Sequence, residues 1–261
     1  MQTVLVTGGA GTLGRLVVTQ LIDAGYTVRI MSRRSAAPTL LPGTSQAQAD
    51  LETEQGITTA VEGVDVIVHC ASSPFKHTQQ IDVDGTRRLL EQACAANISH
   101  VVYISIVGID RIPYPYYCYK LAAEELVQNS GLPWSILRAT QFHSLLDLAL
   151  QAATKLPLAT MLPTDLRCQP ISAIEVAQRL GEIVRVGPGG RLPDIGGPEV
   201  CTLEELAHSW LALRGMRRAI VPLWLPGKSA EAFRRGYNTC PEHAVGKITW
   251  AEWVREKYRR Q

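Results

Sequence analysis

The sequence predicts an α/β protein built on a doubly wound parallel sheet, with a small C-terminal lobe. Short apolar segments rich in β-branched residues alternate with segments of helical periodicity from the N-terminus to about residue 140. A glycine-rich turn joins the first apolar segment to the first helix. Such alternation predicts parallel strands that are covered by helices on both faces. The 261 residues suit one large domain, or one domain with an appended lobe.

The strands and helices of the first part of the chain follow a regular order. The predicted strands are "TVLVTGG", "YTVRIMSR", "SQAQADL", "VDVIVHCAS", "HVVYISIVG" and "PWSILRAT". The predicted helices are "LGRLVVTQLIDAG", "TEQGITTAVEG", "DVDGTRRLLEQACAAN" and "YKLAAEELVQNSG". Gly25 is the expected C-cap of the first helix, and Gly56 interrupts the second. The nearly continuous apolar character of the central strands indicates that they are buried on both faces.

Beyond about residue 140 the alternation weakens. Three helices are predicted there, in "FHSLLDLALQAAT", "SAIEVAQRLGEIVRVG" and "TLEELAHSWLALRG". Thr202 and Glu205 have the spacing of a capping box at the start of the third. Because no linker separates this part from the rest, we predict a core at residues 1–145 and a smaller lobe at 146–261 that packs on it and is not an independent domain.

Composition excludes several classes of function. The net charge of +2 gives no reason to expect a nucleic-acid partner. The six cysteines are scattered singly, without metal-ligand or redox spacing, so we expect no metal site and a reducing, cytoplasmic environment. Because the sequence starts directly with a predicted strand, we expect no signal peptide, and because no apolar run is long enough to cross a bilayer, we expect no membrane partner.

The turn "VTGGAGTLGRLVV" carries glycines at positions 8, 11 and 14. Glycines allow the backbone to turn tightly and to approach a pyrophosphate, and the following helix offers it free N–H groups and a positive dipole end. A strand-to-helix turn that merely favours glycine is the alternative interpretation. The βαβ context favours a dinucleotide site and therefore a Rossmann-type core.

The end of the second strand bears on the choice of dinucleotide. Ser32, Arg33 and Arg34 stand where an acidic residue would bind the ribose of NAD. A guanidinium binds a phosphate with two hydrogen bonds, so the sequence favours NADP(H) over NAD(H). The alternative is that both arginines are solvated on a loop.

The stretch "YYCYK" places Tyr116 four residues before Lys120 in a predicted helix, so the two side chains share a face. A phenol beside an ammonium has a lowered pKa and can serve as an acid or base. Alternatively, Tyr116 packs and Lys120 lies along a solvated face. Tyr117 is a poorer neighbour of the lysine because it lies only three residues away.

Taken together, these motifs resemble the short-chain dehydrogenase/reductase superfamily, in its extended or atypical branch of NmrA-like and nucleotide-sugar-epimerase-like NAD(P)-binding proteins. The matching stretches are "TGGAGTLG", "ADL", "VIVHCAS", "DVDGTRRLLEQA", "VVYIS", "YYCYK" and "LPWSILRATQFH". Asp82 stands where asparagine is common. The similarity is specific from residue 1 to about 145 and fainter beyond.

The resemblance implies roles for individual residues. Tyr116 would give or take the proton, while Lys120 would hold the nicotinamide ribose and lower the tyrosine pKa. The cofactor-binding residues it implies are Thr7, Gly8, Gly11, Thr12, Leu13, Gly14, Ser32, Arg33, Arg34, Asp50, Leu51, Cys70, Ala71, Ser72, Lys120 and Ala139. Ser105 fits the first position of a catalytic Ser-Ser pair, but Ile106 occupies the second and cannot donate a hydrogen bond. Either Ser105 or Tyr116 alone polarises the substrate, or the chain binds cofactor without this chemistry.

A few further residues are candidates for the site. His69 lies in an apolar strand and is expected to be a satisfied core histidine. Lys76, His77 and His143 follow strand ends and could face substrate. A pocket lined by residues such as Phe142 and Trp224 would suit an apolar molecule.

The sequence therefore favours an NADPH-dependent oxidoreductase that reduces a small organic carbonyl, a quinone or an enone by hydride transfer. Its expected partner is a small, apolar substrate, and the protein is expected to be a monomer or a homodimer. Two alternatives stay open: a redox sensor that binds NADP(H) without catalysis, and a nucleotide-sugar epimerase or dehydratase.

Overall fold

The structure is a computed structural model that describes residues 2–33, 43–155 and 159–259. The chain divides into two compact units. The first consists of Met1–Ser105, Pro115–Leu137 and Val176–Leu192, and the second of Ile106–Tyr114, Arg138–Glu175 and Pro193–Gln261. Residues 176–192 thus belong with the first unit, although they lie within the 146–261 range of the predicted lobe. This segment includes a strand at Gly190–Arg191 that extends the main sheet.

The elements are numbered in chain order. The strands are β1 (Thr3–Thr7), β2 (Thr27–Ser32), β3 (Thr44–Gln48), β4 (Val66–His69), β5 (His100–Ile106), β6 (Trp134–Ala139), β7 (Ala159–Leu162), β8 (Arg167–Cys168), β9 (Gly190–Arg191), β10 (Cys201–Thr202) and β11 (Ala219–Pro222). The α-helices are α1 (Gly14–Asp23), α2 (Ile57–Val61), α3 (Gly85–Ala95), α4 (Pro115–Gln128), α5 (His143–Ala153), α6 (Ala173–Val186), α7 (Leu203–Leu213), α8 (Lys228–Arg234) and α9 (Trp250–Arg259).

Among the described residues, the main sheet has seven strands in the order β3-β2-β1-β4-β5-β6-β9. β1 pairs in parallel with both β2 and β4, and β4 pairs in parallel with β5. The strand order reverses between β1 and β4, which is the point where open α/β sheets bind ligands beyond the carboxyl ends of their strands. The predicted doubly wound fold of the Rossmann type is confirmed.

The sheet is buried on both faces in its centre. Val4, Leu5 and Val6 of β1 are completely buried, so neighbouring residues on opposite faces of the strand are both covered. Leu5 shares one core cluster with residues of β4, β5 and α3. This packing fixes the carboxyl ends of β1, β4 and β5 at a common edge of the sheet.

The second unit has its own core around α5, α7 and α9. Its centre is the buried carboxylate of Asp147, which accepts hydrogen bonds from Trp210 Nε1 and Tyr258 Oη, both at 2.7 Å, and pairs with Lys257 Nζ at 2.5 Å. Burial opposes the charge, but the hydrogen bonds from Lys257, Tyr258 and Trp210 hold the pKa of Asp147 below its usual value. The carboxylate thereby ties α9 to α5 and α7.

Thr202 caps α7 as predicted. Its hydroxyl accepts from the Glu205 N–H at 3.2 Å, while the Glu205 carboxylate accepts from the Thr202 N–H at 2.7 Å. Two further pairs of short strands belong to this unit: β8 with β10, which are antiparallel, and β7 with β11, which are parallel. No helix among the described residues is both long and apolar enough to cross a bilayer.

One predicted helix differs in its first turns. The stretch "DVDGTRRLLEQACAAN" does not begin as an α-helix, because Gln79–Asp84 forms a π-helix that leads into α3. The wider turns of a π-helix occur frequently at functional sites. Here they coincide with the burial of Asp82, which is only 1% exposed. The interruption predicted at Gly56 is also present, since this residue has φ +77° and α2 begins directly after it.

Candidate functional site

The glycine turn between β1 and α1 leaves no space for a side chain at Gly8 or Gly14. Gly8 has φ +65°, and a Cβ at this position would stand 2.8 Å from the Cα of Ala71. A Cβ on Gly14 would overlap the carbonyl oxygen of Gly8 and stand 2.7 Å from its carbonyl carbon. Gly11 donates its N–H to the same carbonyl at 2.8 Å and, like Thr12, is exposed. This narrow turn, which opens a helix, fits a pyrophosphate that approaches the backbone closely.

A hydrogen-bond network ties the ends of β1 and β4 together beside this turn. The Thr7 hydroxyl oxygen accepts the backbone N–H groups of Cys70 and Ala71, at 3.2 and 3.1 Å. The same hydroxyl lies 2.6 Å from Nδ1 of His69. Thr7 and His69 are almost completely buried. The network therefore fixes the backbone at 70–71, against which Gly8 packs.

The hydrogen-bond donors of the network define the state of His69. The Thr86 hydroxyl donates to the backbone carbonyl of Asp82 at 2.6 Å, so it can only accept from His69 Nε2, which lies 2.9 Å away. Nδ1 then accepts the Thr7 hydrogen. Burial, with a smaller contribution from the Lys120 charge, lowers the pKa of His69 to about 3. His69 is thus a neutral, fully satisfied core histidine, as predicted.

Of the three residues predicted to select NADP(H), the structure describes Ser32 and Arg33. Ser32 ends β2 and is half-buried. The side chain of Arg33 is exposed, and its carbonyl accepts from Gln48 Nε2 at 3.3 Å. Arg34 lies outside the described residues. Arg33 is therefore available to an anion at the carboxyl end of β2.

The turn predicted to cover the adenine follows β3. Asp50 accepts the N–H of Glu52 on its Oδ1 at 2.9 Å and donates its own N–H to the carbonyl of Gln55 at 2.9 Å. Leu51 is 6% exposed and belongs to the core of the first unit. This turn is thus held by its own hydrogen bonds and by the packing of Leu51 in the core.

Tyr116 lies in the first turn of α4, and its hydroxyl is 2.8 Å from the Ser72 hydroxyl. Ser72 donates in turn to Oδ1 of Asp82 at 2.5 Å, and the N–H of Ser73 donates to Oδ2 at 2.8 Å. Ser72 is exposed and Asp82 is buried. A chain of hydrogen bonds therefore runs from the phenol on α4, through the loop after β4, to a carboxylate of the π-helix.

Lys120 stands one turn further along α4 and is 3% exposed. Its Nζ donates to the carbonyl of Ile104 at 3.0 Å and lies 4.1 Å from the centre of the Tyr103 ring. Burial lowers the pKa of Lys120 to about 8, and the negative charges of Asp82 and Glu124 oppose that change. The ammonium is thus held against β5 by a carbonyl and an aromatic face.

Ser105 does not offer its hydroxyl at a surface. It is 3% exposed, and its Oγ has no hydrogen-bond partner among the described residues. It follows Tyr103 by two residues along β5 and so points to the same face of the sheet. Ile106 is half-buried, and Ala139, which ends β6, is buried in the second unit.

The remaining candidates have other surroundings. His77, with φ +53°, is exposed and places Nδ1 2.6 Å from the Glu52 carboxylate. Lys76 is exposed on the same loop. His143 packs against the rings of Trp250 and Trp253, with centroids 5.9 and 5.5 Å away, and burial lowers its pKa to about 4. His143 is therefore a core residue of the second unit, and the possibility that it faces substrate is not realised.

The two residues proposed to line an apolar pocket, Phe142 and Trp224, are not equally exposed. Trp224 is 67% exposed and stacks against the guanidinium of Arg234, whose Cζ lies 3.7 Å from the ring centre. Phe142 is half-buried and caps the start of α5. In the part of the chain that the structure describes, no three His, Cys, Asp or Glu side chains are grouped as a metal site requires.

Sequence reasoning missed the connection between Ser72, Asp82 and Tyr116. From the sequence, Asp82 is only a departure from the usual asparagine, and Ser72 is predicted to bind the cofactor but is not connected with either residue. The sequence did contain a signal. Asp82 has a carboxylate at a position where asparagine, which has an amide, is common in the family that the motifs resemble. Its partner could be found only once the fold brought α4 and the loop after β4 together.

A family model described as NAD(P)H-binding matches residues 8–180, more than half of the chain. The photosystem II assembly factor Ycf39 of Trieres chinensis is 30% identical over 147 residues, which cover 54% of this chain and 46% of that protein. The (4-alkanoyl-5-oxo-2,5-dihydrofuran-3-yl)methyl phosphate reductase of Streptomyces griseus is 28% identical over 215 residues, covering 77% of this chain and 70% of that one. The chain spans less than half the length of the first two curated relatives it matches.

Among solved structures, the NADPH-dependent quinone oxidoreductase QOR2 of Escherichia coli in complex with NADPH aligns with a TM-score of 0.83 and 19% identity. The alignment covers 98% of this chain and 99% of that one. Structures of nucleotide-sugar epimerases share the same fold. At these identities the likeness establishes the fold and does not distinguish the two kinds of enzyme.

Proposed function

The chain belongs to the NAD(P)H-binding family, within the atypical short-chain dehydrogenase/reductases that its motifs resemble, and we propose that it is an NADPH-dependent oxidoreductase. Its substrate would be a small organic carbonyl, a quinone or an enone. NADPH, when bound, supplies a hydride. The protein's own contribution is to bind and orient the cofactor and to hold a proton at the substrate.

The observation that carries this proposal is the position of the Tyr116 hydroxyl. It lies beside the loop that follows β4, 2.8 Å from Ser72, and α4 places the buried ammonium of Lys120 one turn away. Ligands of parallel sheets bind at this edge. Tyr116 holds the proton that a substrate oxygen would need, and Lys120 supplies positive charge close to it.

We assign residues of the first unit to each part of the cofactor. Gly8, Gly11 and Gly14 leave the backbone open to the pyrophosphate, with Thr12 and Leu13 between them. Arg33, together with Arg34, would bind the 2′-phosphate bidentately. The other residues that we assign to the cofactor are Thr7, Ser32, Asp50, Leu51, Cys70, Ala71, Ser72 and Lys120.

Names of similar proteins support the substrate class. The Escherichia coli protein QOR2 is a quinone oxidoreductase. The similar protein of Streptomyces griseus is named as the reductase of a dihydrofuran that carries oxo and alkanoyl groups. Both substrates contain carbonyl groups that can accept a hydride directly or through a conjugated double bond. We therefore place a conjugated carbonyl compound first among the substrates to be tested.

The experiment is NADPH oxidation with matched panels of quinones, enones, aldehydes and ketones. Tyr116→Phe should lower the turnover of any active substrate by roughly 10²–10⁴, the range for loss of a general acid, and should leave NADPH affinity unchanged. Tyr119→Phe, which removes a hydroxyl from the same helix, is the control and should retain turnover. Equal turnover of both variants would refute the role of Tyr116.

The burial of Ser105 favours a second candidate, a redox sensor that binds NADPH without turnover. Ser105 is 3% exposed and its hydroxyl oxygen is buried, which places it away from solvent and from a substrate carbonyl in this conformation. The sensor predicts micromolar or tighter NADPH binding in calorimetry, and no oxidation of NADPH by any member of the panel. A single substrate whose reduction depends on Tyr116 would exclude it.

A further inference from the structure

The Ser72 hydroxyl has one hydrogen, and that hydrogen is directed at Asp82. Ser72 Oγ lies 2.5 Å from Oδ1 of Asp82 and 2.8 Å from the Tyr116 hydroxyl. An ionised carboxylate only accepts hydrogen bonds, so Ser72 must be the donor toward Asp82. Ser72 can then only accept from Tyr116. The hydrogen of the phenol is therefore directed toward Ser72.

We propose that Asp82, acting through Ser72, is a positioning residue that keeps Tyr116 protonated and fixes the direction of its hydrogen. This inference rests on the proposed function, in which Tyr116 is the proton donor. A phenolate at Tyr116 could not donate to Ser72, and Ser72 could donate to it only by leaving the carboxylate. The hydrogen bonds that run from Asp82 through Ser72 to Tyr116 thus favour the protonated phenol over the phenolate. The protonated phenol is the acid that a reduction uses, and the phenolate is the base that an oxidation uses.

The carboxylate of Asp82 is surrounded by hydrogen-bond donors and lies within the field of a positive charge. Its second oxygen, Oδ2, accepts the Ser73 N–H at 2.8 Å, and the ammonium of Lys120 acts on the same site. Both carboxylate oxygens are thus occupied by donors. Ionisable groups on the elements around Tyr116 include Tyr103 of β5 and Lys120 and Glu124 of α4. Ser72 donates its hydrogen to Asp82, so the direction of that hydrogen is decided there.

Replacement of Asp82 by asparagine would reverse the order of donors with little change of shape. The amide oxygen can keep the bond from the Ser73 N–H, which places the amide nitrogen opposite Ser72 Oγ. That nitrogen donates, so the hydrogen of Ser72 becomes available to Tyr116. A phenolate at Tyr116 would then receive a hydrogen bond that the natural protein denies it.

The test is a direct titration of the Tyr116 phenol, by NMR of protein in which tyrosine carries an isotope label at Cζ. The Tyr116 resonance is assigned as the one that is missing in Tyr116→Phe. Asp82→Asn should lower its ionisation midpoint by about 1–2 pH units, the effect of a hydrogen bond to a charged group. An unchanged or raised midpoint would overturn the proposal.

Removal of the Asp82 charge would itself favour the phenolate, so Ser72→Ala provides the control. The shift caused by Asp82→Asn is measured in the natural protein and again in the Ser72→Ala background. The proposal requires a clearly larger shift where Ser72 is present. Equal shifts in both backgrounds would mean that Asp82 acts by charge alone, and would refute a role through Ser72.

Two further measurements keep the outcome decisive. If Asp82→Asn does not fold, Ser72→Ala alone must lower the midpoint, because the neutral phenol loses its acceptor while Asp82 stays charged. In an active protein, the alkaline limb of kcat/KM should move to lower pH in Asp82→Asn. The titration requires neither cofactor nor substrate, so absence of NADPH oxidation would refute the proposed function while the titration still decides the role of Asp82.

Discussion

Replacement of Gly14 by alanine tests the nucleotide turn most directly. The new Cβ would overlap the carbonyl oxygen of Gly8 and stand 2.7 Å from its carbon and 2.8 Å from the Cα of Gly9. Carbon atoms in contact prefer about 3.5–4.0 Å. All the crowded atoms belong to the backbone and cannot rotate away, so the turn itself must move.

The expected loss of stability follows from two terms. Overpacking costs about 1–3 kcal/mol. The movement of Gly8 also breaks or weakens its hydrogen bond from the Gly11 N–H, now 2.8 Å long, which adds about 1 kcal/mol. Gly14→Ala should therefore lower the free energy of unfolding by about 2–4 kcal/mol. NADPH affinity should fall at least about 100-fold, because the backbone that receives the pyrophosphate is displaced.

Urea denaturation measures the free energy of unfolding, and titration calorimetry measures the NADPH affinity. Gly181→Ala is the matched control, since its Cβ would meet Gln20 only at an ordinary 3.9 Å. In the interior of α6, this alanine should stabilise the protein by about 0.5–1 kcal/mol and leave NADPH binding unchanged. If Gly14→Ala behaves like Gly181→Ala in both assays, the turn does not hold the pyrophosphate.

Three further predictions concern charged side chains. Replacing Arg33 and Arg34 by alanine should weaken NADPH binding by roughly 10- to 150-fold and leave NADH binding unchanged; equal losses for both cofactors would contradict 2′-phosphate recognition. Lys120 loses its charge as pH rises through about 8, so NADPH affinity should decline above that pH, and Lys120→Met should have lower affinity with no such decline. Asp147 has a lowered pKa, so its stabilisation is present above the unfolded value near 3.9 and is lost as pH falls through the folded value. Asp147→Asn should cost about 2–3 kcal/mol in urea denaturation at neutral pH, and the difference from the natural protein should shrink in acid.

The parts of the fold that were predicted correctly depend on local signals. The alternation of strands and helices, the glycine turn and the Thr202 cap are all expressed within a few neighbouring residues. β6 was found in the same way, from the apolar stretch after Pro133. The two-residue strands β8, β9 and β10 carry no such signal, because their pairing is decided by the surrounding structure.

The candidate site was predicted only where its residues are close in sequence. Tyr116 and Lys120 share one helix and could be paired from their spacing. Ser72 is 44 residues from Tyr116 and 10 from Asp82, so their contact depends on the packing of α4 against the π-helix. The surroundings of His143 could not be decided from the sequence for a related reason, since its aromatic neighbours lie on α9, more than a hundred residues later.

The network of Thr7, His69 and Thr86 has a consequence for how this protein can change over evolutionary time. Each member depends on the hydrogen that the next one donates, so a single apolar replacement leaves at least one buried polar group unsatisfied. Such a group costs about 1–3 kcal/mol, a large share of the stability of an ordinary domain. A substitution at any one of the three positions is therefore tolerated best when the other positions change with it. Among related sequences they should vary together, and an ancestor lacking one of them should lack the complementary donor or acceptor as well.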